Sequence, residues 1–125
     1  MTAKPKRVLV VDDSVFMRDI IKDIFSAGGF EVAGEAGNGI EAVDKFKELR
    51  PDLVTMDLVM PYRNGIDATR AIRALPGYAQ TPIVAITANA FDKDRKHCLD
   101  AGMNDHIAKP FDPDVLLATL NKWLT

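Results

Sequence analysis

The sequence predicts an α/β protein built on a parallel sheet with helices on both of its faces. Short apolar runs alternate with segments of helical period along the whole chain. The runs are rich in Val, Ile and Leu, which is typical of strands that are buried on both sides. Strict alternation of strands and helices produces parallel sheets through right-handed crossovers. With 125 residues the chain has the size of one domain, and we expect a single domain over 1–125.

Five strand–helix units follow one another in this pattern. Capping residues mark where three of the helices begin: Ser14, Asn38 with Glu41 in a capping-box spacing, and Asp112 with Pro113 at the first helical position. The helices are expected to end at Gly28-Gly29, Pro51, Pro76-Gly77 and Gly102. The predicted strands cover 8–11, 31–34, 52–56, 82–87 and 106–108, and the predicted helices cover 14–27, 38–50, 66–75, 91–101 and the segment from 112 onwards.

Apolar residues at helical spacing predict which helix positions face the core. The fourth helix is the exception, since it carries the charged run 92–96 and few apolar residues. We therefore expect it to be the least firmly packed helix, with Cys98 facing inwards. The predicted core positions of the first, second and last helices are Phe16, Ile20, Ile21, Ile24 and Phe25, then Ile40, Val43, Phe46 and Leu49, and finally Val115, Leu116, Leu120, Trp123 and Leu124.

Composition excludes several classes of function. The chain has 16 basic and 18 acidic residues and a net charge of −2, which gives no electrostatic footprint for nucleic acid. No stretch approaches the ~20 apolar residues of a membrane span, and the basic N-terminus runs into a strand rather than a signal peptide. The single cysteine, Cys98, rules out an internal disulfide. We expect a cytoplasmic protein.

Polar residues follow four of the five predicted strands. Asp12-Asp13 ends the first strand, Asp57 the third, Thr87 the fourth and Lys109 the fifth. Ligands of parallel α/β sheets bind at the carboxyl ends of the strands, so these groups are expected to share one crevice. The second strand ends in Gly34-Glu35 and contributes nothing obvious to it.

The residue types at the strand ends suit phosphoryl chemistry. Carboxylates that lie close together repel one another, and a hard divalent cation bound by oxygen atoms relieves this repulsion. Asp57 is a metal ligand, a nucleophile, or both. Lys109 offers a positive point charge and Thr87 a hydroxyl hydrogen bond. Phosphoryl transfer requires mainly positioning and charge neutralisation, which these groups supply.

Each residue also has an ordinary structural interpretation. Asp12 and Asp13 could cap the helix that follows them, and Thr87 could cap a helix or end a strand. Lys109 could be a solvated loop lysine. It is the combination of all five residues that favours a functional site.

Five separated motifs extend this pattern over nearly the whole chain. They are Val10-Val11-Asp12-Asp13-Ser14, Met56-Asp57-Leu58-Val59-Met60-Pro61, Asn64-Gly65, Ile86-Thr87-Ala88 and Ala108-Lys109-Pro110-Phe111. In order and spacing the set resembles the receiver domain of two-component response regulators. The resemblance implies a flavodoxin-like (βα)5 doubly wound sheet with strand order 2-1-3-4-5. It also implies a phosphorylation switch that does not turn over an external substrate as a conventional enzyme does.

The resemblance assigns the phosphoryl and metal chemistry residue by residue. Asp57 would accept a phosphoryl group from a histidine of a partner histidine kinase or histidine phosphotransfer protein. Asp13, Asp57 and the backbone carbonyl of Val59 would ligate Mg²⁺ directly, and Asp12 would act mainly through a metal-bound water. Lys109 would contact the phosphoryl group.

The remaining assignments concern the change of state and its output. Thr87 would move to hydrogen-bond the phosphoryl group, and the Lys109–Pro110 peptide bond would be cis. The family usually has Tyr or Phe three residues before the lysine, and this chain has His106 there. His106 is therefore either an altered switch residue or a packing residue. Phosphorylation would alter the surface formed by the fourth helix, fifth strand and last helix. Because no output domain follows Thr125, a separate downstream protein would be bound there.

Two rival functions and one question of origin stay open at this point. A phosphohydrolase with an aspartyl-phosphate intermediate needs a second acid two residues after its nucleophile, where this chain has Val59. A passive interaction domain on the same scaffold would not need the five site residues. The stretch 7–61 resembles stand-alone chemotaxis receivers, whereas 81–124 resembles receivers of hybrid sensor kinases. A recombined or designed chain would show this division.

Overall fold

The structure, a computed structural model, describes residues 4–58, 64–77, 80–87, 92–109 and 111–124, with only the backbone of 92–95. Strands and helices alternate through these residues as the sequence predicts. The strands are β1 (Arg7–Val11), β2 (Glu31–Ala36), β3 (Leu53–Asp57), β4 (Ile83–Thr87) and β5 (Asp105–Ala108). The helices are α1 (Val15–Ala27), α2 (Gly39–Leu49), α3 (Gly65–Arg73), α4 (Asp92–Ala101) and α5 (Pro113–Leu124).

The five strands form one parallel sheet in the order β2-β1-β3-β4-β5. This confirms the predicted doubly wound, flavodoxin-like order. β3 lies at the centre, and all five of its residues are buried. The carboxyl ends of β1, β3, β4 and β5 meet at one edge of the sheet, which brings the polar residues that follow them to one place.

Alternation along the strands divides the core into two layers. On one face, Leu9 and Val11 of β1 join a cluster that includes Phe46 of α2 and Ile72 of α3. On the other face lies a second cluster, which contains Val8, Val10, Ile21, Phe25, Leu53, Val84, Ile86, Ile107, Leu116 and Leu120. Asp12, Asp57 and Lys109 continue the period-2 positions of this second face, which explains why their side chains converge.

The predicted caps are confirmed. Ser14 Oγ accepts a hydrogen bond from Met17 N at 3.2 Å, and Asn38 Oδ1 accepts one from Glu41 N at 2.9 Å. Asn64 is a further cap, since its Oδ1 accepts a hydrogen bond from Asp67 N at 2.8 Å. These bonds satisfy amide groups that have no partner within the first helical turn.

Three predicted core positions are wrong. Phe16 is 74% exposed, Ile40 50% and Val115 54%. Each lies in the first turn of its helix, beside the carboxyl edge of the sheet, where the helix has not yet passed over the strands. Helical spacing identifies which face of a helix is apolar, but it does not identify the residue at which the sheet begins to cover that face.

None of the described helices is long and apolar enough to cross a membrane. β2 is two residues longer than predicted and ends at Ala36. This extension matters for the site described next, because it brings the end of β2 beside the end of β1.

Candidate functional site

The predicted site residues lie together at the carboxyl edge of the sheet. Asp12 is 1% exposed, Asp57 7% and Thr87 3%, so three polar groups are buried where strands end. Lys109 is half-buried, and Asp13 is exposed. Burying carboxylates is costly unless they are paired or hydrogen-bonded, and the contacts of these residues show how the cost is offset.

Asp12 is held at each of its polar groups. Its backbone amide donates to Ala36 O at 3.1 Å. Its Oδ1 accepts from Ser14 N at 2.9 Å, and its Oδ2 accepts from Lys109 Nζ at 2.9 Å. Its backbone carbonyl accepts from Arg18 Nη1 at 2.6 Å. The position of Asp12 is therefore fixed from β2, α1 and β5 at once.

Lys109 supplies positive charge between two buried carboxylates. Its Nζ lies 2.9 Å from Asp12 Oδ2 and 3.7 Å from Asp57 Oδ2. Its backbone amide donates to Thr87 O at 2.7 Å, which ties the end of β5 to the end of β4. The ammonium group can reach either carboxylate through small rotations of its flexible stem.

The three aspartates fit a divalent cation. One carboxylate oxygen from each of Asp12, Asp13 and Asp57 lies within 4.8 Å of the other two. Hard oxygen donors of this kind are the ligands that Mg²⁺ takes in proteins, usually one or two carboxylates with several retained waters. The donor set, with one exposed member, allows a cation to enter from solvent.

The Asn64-Gly65 motif lies beside the site, and steric crowding explains why its second residue is glycine. A Cβ atom on Gly65 would be 2.2 Å from the backbone oxygen of Asp57 and 3.0 Å from Cα of Leu58. Gly65 N also donates to Leu58 O at 3.0 Å. Only glycine allows the start of α3 to lie this close to the chain that carries Asp57.

The second strand contributes to the surroundings of the site through Glu35, a contribution that the sequence did not make obvious. Glu35, near the end of β2, accepts from Arg18 Nε at 2.8 Å and from Lys22 Nζ at 2.6 Å. Hydrogen bonds from Lys22 and then from Arg18 lower the pKa of Glu35, and the same contact raises the pKa of Lys22. A signal was available in the sequence, because Arg18 follows the Ser14 cap by one helical turn and therefore lies near the strand ends.

Thr87 and His106 lie on the face of the sheet opposite to Asp12 and Asp57. The register pairs Ala85 with His106 and Thr87 with Ala108, so the two side chains are diagonal neighbours on adjacent strands. His106 is half-buried. The predicted switch pair is thus adjacent to the site and directed towards the α4 side of the sheet.

Some predicted positions lie outside the described residues. They are Val59, whose carbonyl was assigned to the metal, Pro110 of the assigned cis peptide, and the motif residues Met60, Pro61 and Ala88.

Comparisons with known proteins give the family. The family model for the response regulator receiver domain matches residues 8–121. The chemotaxis protein CheY of Thermotoga maritima is 49% identical over 117 residues, which cover 94% of this chain and 96% of that protein. The chain therefore belongs to the response regulator receiver family.

Solved structures agree in fold, and two of them contain magnesium. The receiver domain of a sensor histidine kinase from Pseudomonas aeruginosa, with magnesium coordinated in its active-site cleft, is 38% identical, with a TM-score of 0.88 and coverage of 96% and 98% of the two chains. CheY in a CheX–CheY–BeF3–magnesium complex from Borrelia burgdorferi is 32% identical, with a TM-score of 0.90 and coverage of 97% and 90%. Both chemotaxis and sensor-kinase receivers are thus similar to this chain over nearly its whole length, and a two-part origin stays a prediction.

Proposed function

We propose that Asp57 accepts a phosphoryl group from a phosphorylated histidine of a partner protein. The observation that carries this proposal is the position of Asp57: it is buried at the end of the central strand, with Lys109 Nζ 3.7 Å from its Oδ2. The oxygens of Asp12 and Asp13 lie within 4.8 Å. A nucleophile, a positive charge and a cation site therefore converge on one carboxylate.

The transfer is a displacement at phosphorus. A carboxylate oxygen of Asp57 forms the new P–O bond while the P–N bond to the donor imidazole breaks, and the bonding electron pair returns to the imidazole nitrogen. An acyl phosphate remains on Asp57. Lys109 is 0.8 Å closer to Asp12 than to Asp57, the difference between 3.7 and 2.9 Å. We propose that its ammonium group turns from Asp12 towards the phosphoryl oxygens as negative charge arrives there.

Asp12, Asp13 and Asp57 would hold Mg²⁺, together with the Val59 carbonyl that the family resemblance assigns. When bound, the ion neutralises charge on the phosphoryl oxygens. The protein contributes the direction of the carboxylates, and the hydrogen bonds to Asp12 Oδ1 and Oδ2 fix that of Asp12 in advance. Slow hydrolysis of the acyl phosphate would return the chain to its starting state, so the protein catalyses changes only to itself.

The output surface of the proposed switch is formed by α4, β5 and α5. Thr87 lies at the end of β4 beside this surface, and a hydrogen bond from its hydroxyl to the phosphoryl group would move it towards Asp57. We propose a histidine kinase or histidine phosphotransfer protein as the donor, a separate protein as the downstream partner, and the cytoplasm as the location. The balanced charge of the chain supports proteins over nucleic acid as partners.

Phosphorylation by acetyl phosphate and Mg²⁺, followed by intact mass spectrometry, tests the proposal. The wild type should gain the mass of one phosphoryl group, and Asp57→Asn should gain none. Asp67→Asn is the matched control, because it makes the same change at an exposed position of α3 and should be labelled normally. Labelling of Asp57→Asn at another residue, or an unlabelled wild type, would contradict the assignment.

His106 is tested separately. An imidazole covers less apolar area than Tyr or Phe, so its inward position should be less favoured and phosphorylation should shift the output surface only partly. Amide chemical shifts around Thr87, Ile107 and Leu116 should change in His106→Tyr. Unchanged shifts would make His106 a packing residue.

A further inference from the structure

Arg18 connects the end of β1 to the end of β2. The proposed phosphoryl transfer does not use this residue. Its Nε donates to Glu35 Oε1 at 2.8 Å, and its Nη1 donates to the backbone oxygen of Asp12 at 2.6 Å. The side chain is only 14% exposed. One guanidinium group from α1 thus connects the end of β1 to the end of β2.

The backbone oxygen of Asp12 belongs to the peptide group that joins Asp12 to Asp13. That group is planar, so fixing the direction of its oxygen also fixes the plane from which the Asp13 backbone continues. Asp13 is exposed, and the direction of its carboxylate depends on this plane. Arg18 can therefore orient Asp13 without touching its side chain.

The orientation of Arg18 is itself fixed. Glu35 receives both the Arg18 bond and a 2.6 Å bond from Lys22, one helical turn further along α1. Because the guanidinium is planar and rigid, holding Nε against Glu35 also sets the direction in which Nη1 points. A lysine at this position has one terminal nitrogen and cannot present the same fixed fork to two acceptors.

We propose that Arg18 is a positioning residue for the metal site: it sets the Asp12–Asp13 peptide so that both carboxylates are directed towards the cation before it binds. The proposal rests on the proposed function, since it assumes that the three aspartates bind Mg²⁺. Residues that orient metal ligands from behind typically change metal affinity by 10-fold or more when they are replaced.

Charge and geometry predict opposite results, which makes the proposal testable. Arg18 is a cation near a cation site, so its charge alone opposes Mg²⁺ binding, and Arg18→Gln would bind the ion more tightly. If Arg18 positions the ligands, Arg18→Gln binds the ion about tenfold more weakly. Arg18→Lys keeps the positive charge but loses the planar group that donates to two acceptors. The proposal therefore predicts weaker Mg²⁺ binding in this variant as well.

The experiment is a Mg²⁺ titration of the full chain followed by amide chemical shifts, on the wild type, Arg18→Gln, Arg18→Lys and Lys22→Gln. Lys22→Gln is the matched control: it removes a positive charge from the same glutamate but leaves the bond to Asp12, and its affinity should stay within about twofold of the wild type. In both Arg18 variants the Asp13 amide should also shift in the absence of metal. Labelling by acetyl phosphate should need about tenfold more Mg²⁺ for half its maximal rate, with that maximal rate little changed.

Tighter or unchanged binding in Arg18→Lys would overturn the proposal. If Arg18→Gln does not fold, Arg18→Lys decides alone, since it retains the ion pair with Glu35. A wild type that neither binds Mg²⁺ nor becomes phosphorylated would overturn the proposed function and this inference together. A wild type that does both, with Arg18 variants equal to it, would overturn the inference only.

Discussion

The two sides of the site are built differently. On one side is the β1–β2 corner, which consists of β1, β2, α1 and α2, where α1 buries Ile21 and Phe25 and α2 buries Val43 and Phe46. On the other is the α4–β5 side, which consists of α4 and β5. Among the α4 side chains that the structure describes, 96–101, only Cys98 and Ala101 are buried. Asp57 therefore lies between a firmly packed region and a weakly packed one.

This difference suggests how a local reaction produces a change at a distance. Asp12 is fixed by hydrogen bonds from the β1–β2 corner and cannot move without breaking several of them. Thr87 lies at the edge of the α4–β5 side, where the described side chains of α4 bury only Cys98 and Ala101, so less apolar packing opposes a rearrangement. A new charge on Asp57 should therefore leave the corner in place and change the arrangement of α4 and β5.

The comparison predicts unequal costs for removing a large apolar side chain from each region. Phe46 of α2 is 0% exposed, whereas Leu99 of α4 is 52% exposed. Phe46→Ala should lower the free energy of unfolding by about 3–5 kcal/mol, and Leu99→Ala by less than about 0.5 kcal/mol. Urea denaturation measures both. A loss above about 2 kcal/mol for Leu99→Ala would show that α4 is as firmly packed as α2.

A hydrogen-bond network connects the carboxyl end of α4 to the rest of the domain. Arg73 of α3 donates to Gly102 O at 3.0 and 2.8 Å, to Thr81 O at 2.6 Å and to Asn104 Oδ1 at 2.8 Å. Burial lowers the pKa of Arg73. Gly102 ends α4 at φ +105°, a conformation that favours glycine. The carboxyl end of α4 is thus held by a charge-assisted network in addition to the buried Cys98 and Ala101.

Arg73→Gln should therefore destabilise the protein by about 2 kcal/mol, because several carbonyl groups lose a charged donor. Arg70→Gln is the control on the same helix, since Arg70 is exposed and its Nη1 lies 3.9 Å from Asp67 Oδ1. It should change stability by less than about 0.5 kcal/mol. Hydrogen exchange should also show faster opening of α4 in Arg73→Gln. Equal effects of the two substitutions would mean that Arg73 does not anchor α4.

The sequence predicted the fold and the members of the site because both depend on local patterns. Apolar runs and caps such as Ser14 and Asn38 gave the order of the elements, and polar residues after four strands gave the crevice. The family resemblance, not the pattern, gave the strand order. Phe16 was misplaced because helical period does not show where a helix leaves the sheet.

The contacts between elements distant in sequence could not be predicted in the same way. Arg73 and Asn104 are 31 residues apart, and nothing local joins them. The role of Glu35 depends on β2 lying beside β1 and extending to Ala36, which is a property of the sheet. Charged residues that act on backbone carbonyls carry no periodic signal, so only the folded arrangement identifies them.

The central strand between the two regions offers a stabilising substitution. Thr55 of β3 is 1% exposed, and its Oγ1 has no hydrogen-bond partner among the described residues. Its neighbours in the sheet are Val10 and Val84. Thr55→Val replaces a buried hydroxyl by a methyl group of similar shape, so we expect the free energy of unfolding to rise by about 1 kcal/mol.

Thr69→Val is the matched control for this prediction. Thr69 is also fully buried, but its Oγ1 donates to Gly65 O at 2.8 Å. The same substitution should therefore cost about 1 kcal/mol instead of adding it. Urea denaturation of both variants shows whether each substitution raises or lowers the free energy of unfolding. A destabilised Thr55→Val would mean that the Thr55 hydroxyl makes a hydrogen bond of its own.

The smallest expected effect is a pH-dependent contribution of Glu35, in the β1–β2 corner, to the stability of the folded state. Hydrogen bonds from Lys22 and Arg18 lower the pKa of Glu35 below its ordinary value of 4.5. A carboxyl group whose pKa is lower in the folded state stabilises that state above the ordinary value, and this contribution disappears as pH falls through the lowered pKa. Glu35→Gln should therefore melt at a slightly lower temperature than the wild type at pH 7, and the difference should shrink as the pH falls below about 4.5.

Because the Glu35 side chain is 37% exposed, salt should reduce the difference in melting temperature as well. Thermal melts from pH 7 to pH 3 at two salt concentrations measure it, with Asp67→Asn on α3 as the exposed control. A difference that stays constant with pH would show that Glu35 acts through packing, and that the firmness of the corner comes from its apolar side chains alone.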